Sequence, residues 1–443
     1  MKFTHRSSIL FAAPIACFVT CLGACTTSNT SNSDDGGGTG GTDEPAPNSS
    51  GGGGASGGKG GSGGSGGRGG SGSLGGQPTD AGVGGATVAS GWWDNAWPLR
   101  RSLSADWPSD SASQDLPVLV ALTPQQLGSG GLSQKAAGLR FVAKDGSLLP
   151  HEVDTVSDTR IFVWVKRPQG SDAWWLYYGN LAAPALPKAH AQAVWGADSV
   201  VWHLGDNGNE SGPGGFDATN EGGSFGEGFI GRAYMGDSTK RSSLALSREA
   251  TANKRLLAGA SALTISAWVK PTDFKLLGDK PFDRQVVSIG TSKADSNYNH
   301  AAAFLAVGLE KMGSPGGEVV AGIRPTGDEE TIRSPGAVSA NTWTHVAAVF
   351  DLALKRGRFF INGAPSGGWM NRGDIETTMF DAAYESKSAH IGASAGGGYG
   401  YFDGGIDEVR LERRQRDETS LLNMYLNMKS PETTVKVGPE DAR

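Results

Sequence analysis

Residues 402–411 have the sequence Phe-Asp-Gly-Gly-Ile-Asp-Glu-Val-Arg-Leu. Its last six residues, Ile406 to Leu411, are typical of a β-strand, in which successive side chains point to opposite faces. In such a strand Asp407 shares one face with Val409 and Leu411. The alternation therefore predicts a strand that carries a carboxylate on its apolar face, at the margin of a β-sandwich.

Short strand-like runs separated by turn residues recur on the N-terminal side of this stretch. In the second half of the chain they lie at residues 200–204, 263–270, 286–289, 304–307, 319–323, 343–350 and 358–363. In the first half they lie at residues 116–122, 139–143, 160–166 and 175–178, where no helical period of useful length appears. The sequence therefore predicts an all-β fold of two tandem β-sandwiches, the second a jelly roll.

The cysteines exclude some kinds of site. All three, Cys17, Cys21 and Cys25, lie in the first 25 residues, so the folded part is predicted to have no disulfide and no thiolate metal site. The formal net charge of −6 gives no basic footprint for nucleic acid. We therefore do not expect nucleic acid as a partner.

The N-terminal residues are typical of an export signal. A short basic start, with Lys2 and Arg6, precedes an apolar run at residues 9–20 that is too short to span a bilayer. The sequence Leu-Gly-Ala-Cys follows at residues 22–25. An ordinary secretory signal is one interpretation, but it does not explain why a Cys follows Leu-Gly-Ala directly.

This motif resembles the lipobox of bacterial lipoproteins. The resemblance implies a signal peptide at residues 1–24 and cleavage that leaves Cys25 as the first mature residue, with a diacylglyceryl group on its sulfur. Two acyl chains, usually with a third on the new N-terminus, anchor a protein stably to a lipid bilayer. Because residue 26 is Thr rather than Asp, the resemblance implies the bacterial outer membrane, at its cell-surface or periplasmic face.

Residues 25–90 are predicted to form a disordered linker. They consist mainly of Gly, Ser, Thr, Asn and Asp, with repeated Gly-Gly-Ser units between positions 60 and 76. Such a composition buries too little apolar surface to fold. A flexible coil of about 60 residues spans ~40–45 Å on average, which suits holding a folded domain clear of a membrane.

Residues 91–182 resemble an uncharacterised bacterial domain family that usually precedes a laminin-G-like domain. The resemblance rests on Trp-Pro-Leu-Arg at 97–100, Leu-Arg-Phe at 139–141, Asp-Gly at 145–146, Val-Trp-Val at 163–165 and Tyr-Tyr-Gly-Asn at 177–180. It implies a β-sandwich but no activity, because none is established for the family. Alternation predicts that Trp164 lies in the core, although aromatic rings also stack on sugars.

A connector is predicted at residues 183–198, where two prolines flank an Ala-rich stretch. Residues 199–428 then resemble the laminin-G-like, concanavalin A-like jelly roll. The motifs are Thr-Ile-Ser-Ala-Trp-Val-Lys-Pro at 264–271, Trp-Thr-His-Val-Ala at 343–347, Phe-Ile-Asn-Gly at 360–363 and the stretch 402–410. The resemblance implies binding of carbohydrate or protein through rim loops, often with a calcium ion.

The end of the chain follows from local signals. Asp417 can cap a short helix that holds Leu421, Leu422, Tyr425 and Leu426. Residues 429–443 are predicted to be a C-terminal tail. A helix that closes the jelly roll in this way agrees with the laminin-G-like resemblance.

Three carboxylates are candidate calcium ligands. Asp407, at the sandwich margin, needs a partner if its face is buried. Calcium takes oxygen ligands, and Asp217 and Asp206 in the loop after the first jelly-roll strand are possible co-ligands. Backbone N–H groups would serve Asp407 equally well, so both alternatives stay open. No cofactor is otherwise required.

Catalytic motifs are weak. Gly-Ala-Ser-Ala-Gly at 392–396 lacks the following helix of a nucleophile elbow and is predicted to be a loop. Glu152-Val153-Asp154 resembles the Glu-x-Asp pattern of concanavalin-like glycosidases, but position 157 is Ser and the motif lies in the other domain. The scattered histidines give no zinc motif. We therefore expect a protein without catalytic activity.

The hypothesis that fits these features best is a membrane-anchored surface lipoprotein. Its laminin-G-like domain would bind a carbohydrate or a protein partner, and no residue identifies that ligand. One alternative is a structural spacer of the cell envelope without a small ligand. Another is a polysaccharide hydrolase or lyase, which would require two carboxylates about 5–10 Å apart in a groove.

Overall fold

The structure, a computed structural model, describes residues 91–105, 116–128, 136–167, 173–246, 256–257, 259–275, 283–290, 302–311, 314–323, 330–372 and 389–443. The predicted signal peptide, Cys25 and the Gly-rich linker lie outside these residues. The chain is almost entirely β, which confirms the predicted all-β fold class. Among the described residues no helix is long and apolar enough to cross a membrane.

The first six strands are β1 (Leu99–Ala105), β2 (Pro117–Leu122), β3 (Arg140–Ala143), β4 (His151–Val156), β5 (Ile161–Lys166) and β6 (Ala173–Tyr178). The next are β7 (Ser199–Trp202), β8 (Ala218–Glu221), β9 (Ser224–Glu227), β10 (Arg232–Gly236), β11 (Ser243–Leu246), β12 (Ala262–Pro271), β13 (Arg284–Ile289) and β14 (Ala303–Val307). The last are β15 (Glu318–Ile323), β16 (Glu330–Ala337), β17 (Thr344–Asp351), β18 (Arg356–Ile361), β19 (Ala364–Asn371), β20 (Ala389–Ile391), β21 (Gly404–Glu412) and β22 (Val435–Ala442). The helices are α1 (Pro124–Leu127), α2 (Lys188–Gln192), α3 (Glu418–Lys429) and α4 (Pro431–Thr434).

The first sandwich has a four-stranded sheet, in the order β22-β1-β6-β3, and a three-stranded sheet, in the order β2-β5-β4. Alternate residues of the two sheets meet in one apolar core, which includes Val118, Phe141, Val163 and Leu176. Because successive side chains of a strand point to opposite faces, each sheet turns one set of alternate residues inward.

The C-terminal residues belong to this first sandwich. Strand β22 pairs antiparallel with β1, from Leu99 opposite Ala442 to Ala105 opposite Val435, and Val435 is buried in the core. The predicted tail at 429–443 is therefore wrong. Gly438 and Pro439 interrupt the strand pattern of these residues, and β22 forms because it covers the edge of β1.

The jelly roll consists of two larger antiparallel sheets. One has the order β19-β18-β17-β12-β21-β10-β9, with β7 also paired to β21, and the other has the order β16-β15-β14-β13-β20-β11-β8. Their inner faces bury a large cluster of aliphatic and aromatic side chains between them. This architecture confirms the predicted laminin-G-like jelly roll.

Strand β21 contains a β-bulge that changes which residues face the core. Its register against β12 shifts between Ser266 and Trp268, and Glu408 has a left-handed backbone with φ +51°. One extra residue in a strand reverses the alternation beyond it. The side chains of β21 that reach the jelly-roll core are Ile406, Val409 and Leu411.

The predicted placement of Asp407 on the same face as Val409 and Leu411 is therefore wrong. The bulge leaves Asp407 and Glu408 on the outer face of the sheet, although both are fully buried. Burial on an outer face requires a second layer above it, and the first sandwich provides that layer.

The layer between the two sandwiches is called the junction below. It includes Leu119 and Trp164 from the first sandwich, Trp195 from the connector, Trp268 and Phe360 from the jelly roll, and Met424 and Met428 from α3. Trp164, predicted in the core of the first sandwich, is buried in the junction instead. Asn427 of α3 pairs with both backbone polar groups of Leu119, at 2.7 and 3.0 Å, and so covers the edge strand β2.

Candidate functional site

A cluster of charged side chains lies within the junction and is called the junction cluster. Strand β4 contributes Glu152 and Asp154, and His203 follows the end of β7. Strand β21 contributes Asp407, Glu408 and Arg410. Because β4 belongs to the first sandwich and the other strands to the jelly roll, neither sandwich contains the cluster alone.

His203 is the centre of the cluster. Its Nδ1 lies 2.6 Å from Glu408 Oε1 and 4.0 Å from Asp154 Oδ2. Its Nε2 lies 3.5 Å from Glu152 Oε2. One imidazole thus contacts carboxylates from both sandwiches.

Aromatic rings surround these charges. Trp164 stacks on His203 with ring centroids 5.9 Å apart, and the Arg410 guanidinium lies 4.4 Å from the Trp164 ring. Trp195 Nε1 donates a 2.7 Å hydrogen bond to Glu152 Oε2. The rings pack against the charges and lower the local dielectric, which strengthens the charge–charge interactions beside them.

Two carboxylates of β21 have different partners. Glu408 Oε2 accepts a hydrogen bond from Arg410 Nη2 at 2.9 Å. Asp407 Oδ2 accepts hydrogen bonds from the backbone N–H groups of Phe229 and Ile230, at 2.8 and 2.9 Å. The sequence leaves calcium and backbone N–H groups as alternative partners of Asp407, and these hydrogen bonds are of the second kind.

Burial and neighbouring charges shift the protonation of the cluster. Burial, together with Glu408 and Glu152, raises the pKa of Asp154 to about 7. Burial and the adjacent Glu408 raise the pKa of Asp407 well above its ordinary value. Although burial opposes ionisation of Glu408, the charges of His203 and Arg410 hold its pKa below the ordinary value.

The same interactions act on His203 in the opposite direction. Burial alone would lower its pKa, but Glu408 and Asp154 raise it well above the ordinary value. Glu408 and His203 therefore form the ionised pair at the centre, and the pKa values of Asp154 and Asp407 are raised beside it.

A cleft of about 350 Å³ opens from the junction cluster to solvent. One wall is β4 with helix α2, and the other is the jelly-roll loop that follows β7. The polar side chains that line it are Glu152, Asp154, Thr155, Lys188, Gln192, His203, Asp206, Asn207, Asn209, Glu210, Ser211 and Arg232. Apart from His203, no aromatic ring is among these lining residues.

The structure does not bring the three candidate calcium ligands together. Asp217 Oδ1 accepts a hydrogen bond from the backbone N–H of Glu210 at 2.9 Å. Asp206 is exposed and forms an ion pair with Arg232 at 2.6 Å. Asp407 is fully buried on backbone N–H groups. The predicted co-ligand set is thus not assembled, because each carboxylate is held by a different local partner.

A different group has the spacing of metal ligands. Among the described residues, ligand atoms of Asp154, His203 and Glu408 all lie within 4.8 Å of one another. In the sequence, Asp154 belongs to the Glu-x-Asp motif, which has Ser at position 157 where a further carboxylate is needed and which lies in the other domain. The signal that could have found it is the alternation in β4, which places Glu152 and Asp154 on one face.

The Gly-Ala-Ser-Ala-Gly motif is a turn-rich loop between β20 and β21. Ser394 N donates to Tyr399 O at 3.0 Å and Gly397 N donates to Ser394 O at 2.7 Å. A strand rather than a helix follows, so the geometry of a nucleophile elbow is not formed.

Comparisons with known proteins agree on the jelly roll. Residues 246–421 match the family described as the concanavalin A-like lectin/glucanases superfamily, laminin-G type. No curated protein matches the chain. The matched range lies within the predicted jelly-roll domain at 199–428.

Solved structures show low similarity to the chain. Domain 4 of AbnA, a GH43 extracellular arabinanase from Geobacillus stearothermophilus solved with arabinotriose, is 16% identical, with 51% of this chain and 87% of that chain covered and a TM-score of 0.33. The CBM40 of the Ruminococcus gnavus IT-sialidase, bound to α2,3 sialyllactose, is 18% identical, with 38% and 83% covered and a TM-score of 0.30. The binding domain of botulinum neurotoxin DC, in complex with rat synaptotagmin II, is 10% identical, with 52% and 51% covered and a TM-score of 0.33.

Proposed function

We propose that this chain is a non-enzymatic binding protein that holds a carbohydrate in the cleft beside the junction cluster. The observation that carries the proposal is the lining of that cleft, in which carboxylates, carboxamides and cationic side chains converge. Its volume of about 350 Å³ falls in the ~300–1,000 Å³ range of small-ligand sites.

Sugar hydroxyl groups both donate and accept hydrogen bonds, and this lining offers both kinds of partner. Carboxylates such as Glu152 accept, Lys188 donates, and the carboxamide of Asn209 does both. The description of the matched family, which joins lectins and glucanases, supports a carbohydrate over other small polar ligands.

The proposal is tested by a glycan-array screen of the purified full-length chain, followed by titration of any glycan bound. Asn209 and Lys188 line the cleft, and we expect Asn209→Ala and Lys188→Ala each to weaken binding about tenfold, the loss of roughly one hydrogen bond. Asn371→Ala is the matched control, because Asn371 is an exposed Asn of the same jelly roll on β19.

Equal affinity in all three variants would place the ligand outside the cleft. Failure to bind any glycan would favour a protein partner or a structural spacer in the cell envelope.

A second candidate is hydrolysis of a glycan, and the observation that favours it is the pair of carboxylates, Glu152 and Asp154, in one cleft. Both lie within 4 Å of His203, so both carboxylates already interact with a side chain of the protein. Release of reducing ends from a bound glycan, abolished in Asp154→Asn, would replace the binding proposal with this one.

We also propose that Cys25 anchors the protein to the bacterial outer membrane through acyl chains. The support is the lipobox-like motif followed at once by a Gly-rich segment. Cys25→Ser is expected to release the protein in soluble form or leave its signal uncleaved. A variant that is still processed and still incorporates labelled fatty acid would contradict the proposal.

A further inference from the structure

We propose that the junction holds one divalent transition-metal ion, with Asp154, His203 and Glu408 as its ligands. The site would tie the first sandwich to the jelly roll. It does not depend on the cleft binding a carbohydrate, because every measurement below is made without glycan.

The first support is geometry. One ligand atom from each residue lies within 4.8 Å of the others, and the three residues come from β4, the end of β7 and β21. Two ligands about 2.1 Å from one tetrahedral ion lie roughly 3.3 Å apart. The His203 Nδ1 to Glu408 Oε1 distance of 2.6 Å therefore has to widen by less than about 1 Å to admit the ion.

The second support is a set of buried polar atoms without hydrogen bonds. Asp154 Oδ2, Asp407 Oδ1 and His203 Nε2 have no hydrogen-bond partner. The Asp154 side chain is only 4% exposed and that of His203 9%. Buried polar atoms are nearly always hydrogen-bonded, and Asp154 Oδ2 is an unsatisfied acceptor of the ligand group itself, 4.0 Å from His203 Nδ1, so it indicates a ligand there.

The third support is charge. The junction cluster contains four carboxylates, and once His203 binds the ion as a neutral imidazole its one remaining cationic side chain is Arg410, which leaves three negative charges when all four carboxylates are ionised. Buried charges are neutralised by partners, by protons or by metal ions. A divalent cation neutralises two of these charges, and the proton that leaves His203 on binding passes to solvent.

The donor set indicates the class of ion. One imidazole nitrogen with carboxylate oxygens suits zinc and its first-row neighbours, whereas calcium prefers oxygen ligands alone. The ion also has a path to the site, because Asp154 and His203 line the cleft that opens to solvent. This site differs from the predicted calcium set in both its residues and its metal.

The test uses the full-length chain, stripped with a chelator and then titrated with Co²⁺ and with Zn²⁺. We expect one equivalent of Co²⁺ to bind and to give visible absorption bands that excess Zn²⁺ removes. The melting midpoint should rise by a few degrees with Zn²⁺, because a ligand of the native state stabilises it.

Three variants locate the ion. Asp154→Asn and His203→Gln each remove one ligand with little change in volume, and we expect each to weaken metal binding at least 100-fold and to abolish the Co²⁺ bands. His345→Gln is the matched control, because His345 is also a buried imidazole of the junction face, 5.5 Å from Trp268, and lies outside the ligand group. Its metal binding should stay unchanged.

Two results overturn the proposal. Wild-type protein that takes up none of Zn²⁺, Co²⁺ or Mn²⁺ at 100-fold excess would show that protons neutralise the carboxylates. Metal uptake that is retained in both ligand variants would place the ion elsewhere. Neither result bears on glycan binding, which Asn209→Ala tests separately.

Discussion

The two sandwiches of this chain are built in different ways. The jelly roll is formed by β7 to β21, which follow one another in sequence, around its own apolar core. The first sandwich takes β22 from the other end of the chain, and the outer face of its smaller sheet is covered by the jelly roll and α3. The first sandwich therefore depends on residues that lie far from it in sequence.

This difference affects where stability and chemistry reside. Because β22 lies far in sequence from the other strands of the first sandwich, a change at the C-terminus can destabilise that sandwich while the jelly roll stays folded. The shared junction in turn concentrates the buried charges at the contact of the two units. A change in the first sandwich or in the junction can therefore be compared with the stability of the jelly roll.

The largest effect is expected from removing β22. Deletion of residues 435–443 takes away the buried Val435, the Arg100–Asp441 ion pair at 2.7 Å and the ladder along β1. Together these changes should destabilise the first sandwich by at least about 5 kcal/mol. Calorimetry should show the first sandwich unfolding early while the jelly roll keeps its transition.

Lys436→Ala is the control, because it changes an exposed side chain of β22 and keeps the strand. A truncated chain that melts in one transition at the original midpoint would mean that the first sandwich does not need β22.

The next effect concerns the junction. Arg410→Met leaves Glu408 buried without its guanidinium partner, and we expect a loss of about 3–5 kcal/mol in the free energy of unfolding. The double variant Glu408→Gln, Arg410→Met should recover part of this loss, which chemical denaturation would measure. Lys240→Met, in the exposed Lys240–Asp237 pair, should change stability by less than about 1 kcal/mol.

Equal losses at the buried and the exposed pair would mean that the junction is solvated, contrary to the burial of its charges.

Acid should weaken the first sandwich through His151. Burial, together with the neighbouring charges of His190 and Arg140, lowers the pKa of His151 to about 4, from 6.5 in the unfolded chain. Between these values the unfolded state binds the proton and the folded state does not, so stability is complete above pH 6.5 and falls as the pH drops toward 4. The shift corresponds to about 3 kcal/mol.

Urea unfolding at pH 7.5 and pH 4.5 measures this effect against a His151→Gln variant. The variant should lose less stability on acidification than the wild type. Identical pH dependence in the two proteins would show that other groups, rather than His151, control the acid response.

The smallest effect is expected at the start of α3. Asp417 accepts a 2.7 Å hydrogen bond from Ser420 N as the N-cap, as predicted from the sequence. Asp417→Ala should lower the free energy of unfolding by about 1 kcal/mol, whereas Asp417→Asn keeps the cap and should be nearly neutral. If Asp417→Asn and Asp417→Ala lower the free energy of unfolding equally, the effect comes from the charge of Asp417 and not from its hydrogen bond.

Local patterns predicted most of the strands. The apolar, β-prone runs at 116–122, 160–166 and 343–350 correspond to β2, β5 and β17, because such runs bounded by turn residues favour buried strands. The jelly-roll motifs were equally informative, because they resemble those of a family whose strand arrangement is known.

Longer-range features could not be predicted in this way. Strand β22 contains Gly438 and Pro439 and lies at least 330 residues from its partner β1, so no local pattern indicates the pairing. The left-handed backbone at Glu408 is not marked by a glycine in the sequence, and the bulge there moves Asp407 to the other face. The junction cluster was missed because its members come from segments that were assigned to different domains.

The pairing of β1 with β22 also has a mechanical consequence. Leu99 lies opposite Ala442, and Arg443 N donates a 3.1 Å hydrogen bond to Pro98 O, so both ends of the folded body meet at one end of one ladder. Tension between Pro98 and Arg443 would load that ladder at a single rung and break its hydrogen bonds in succession instead of all at once. Under tension, strand β22 would therefore separate from β1 before the core of either sandwich is disrupted.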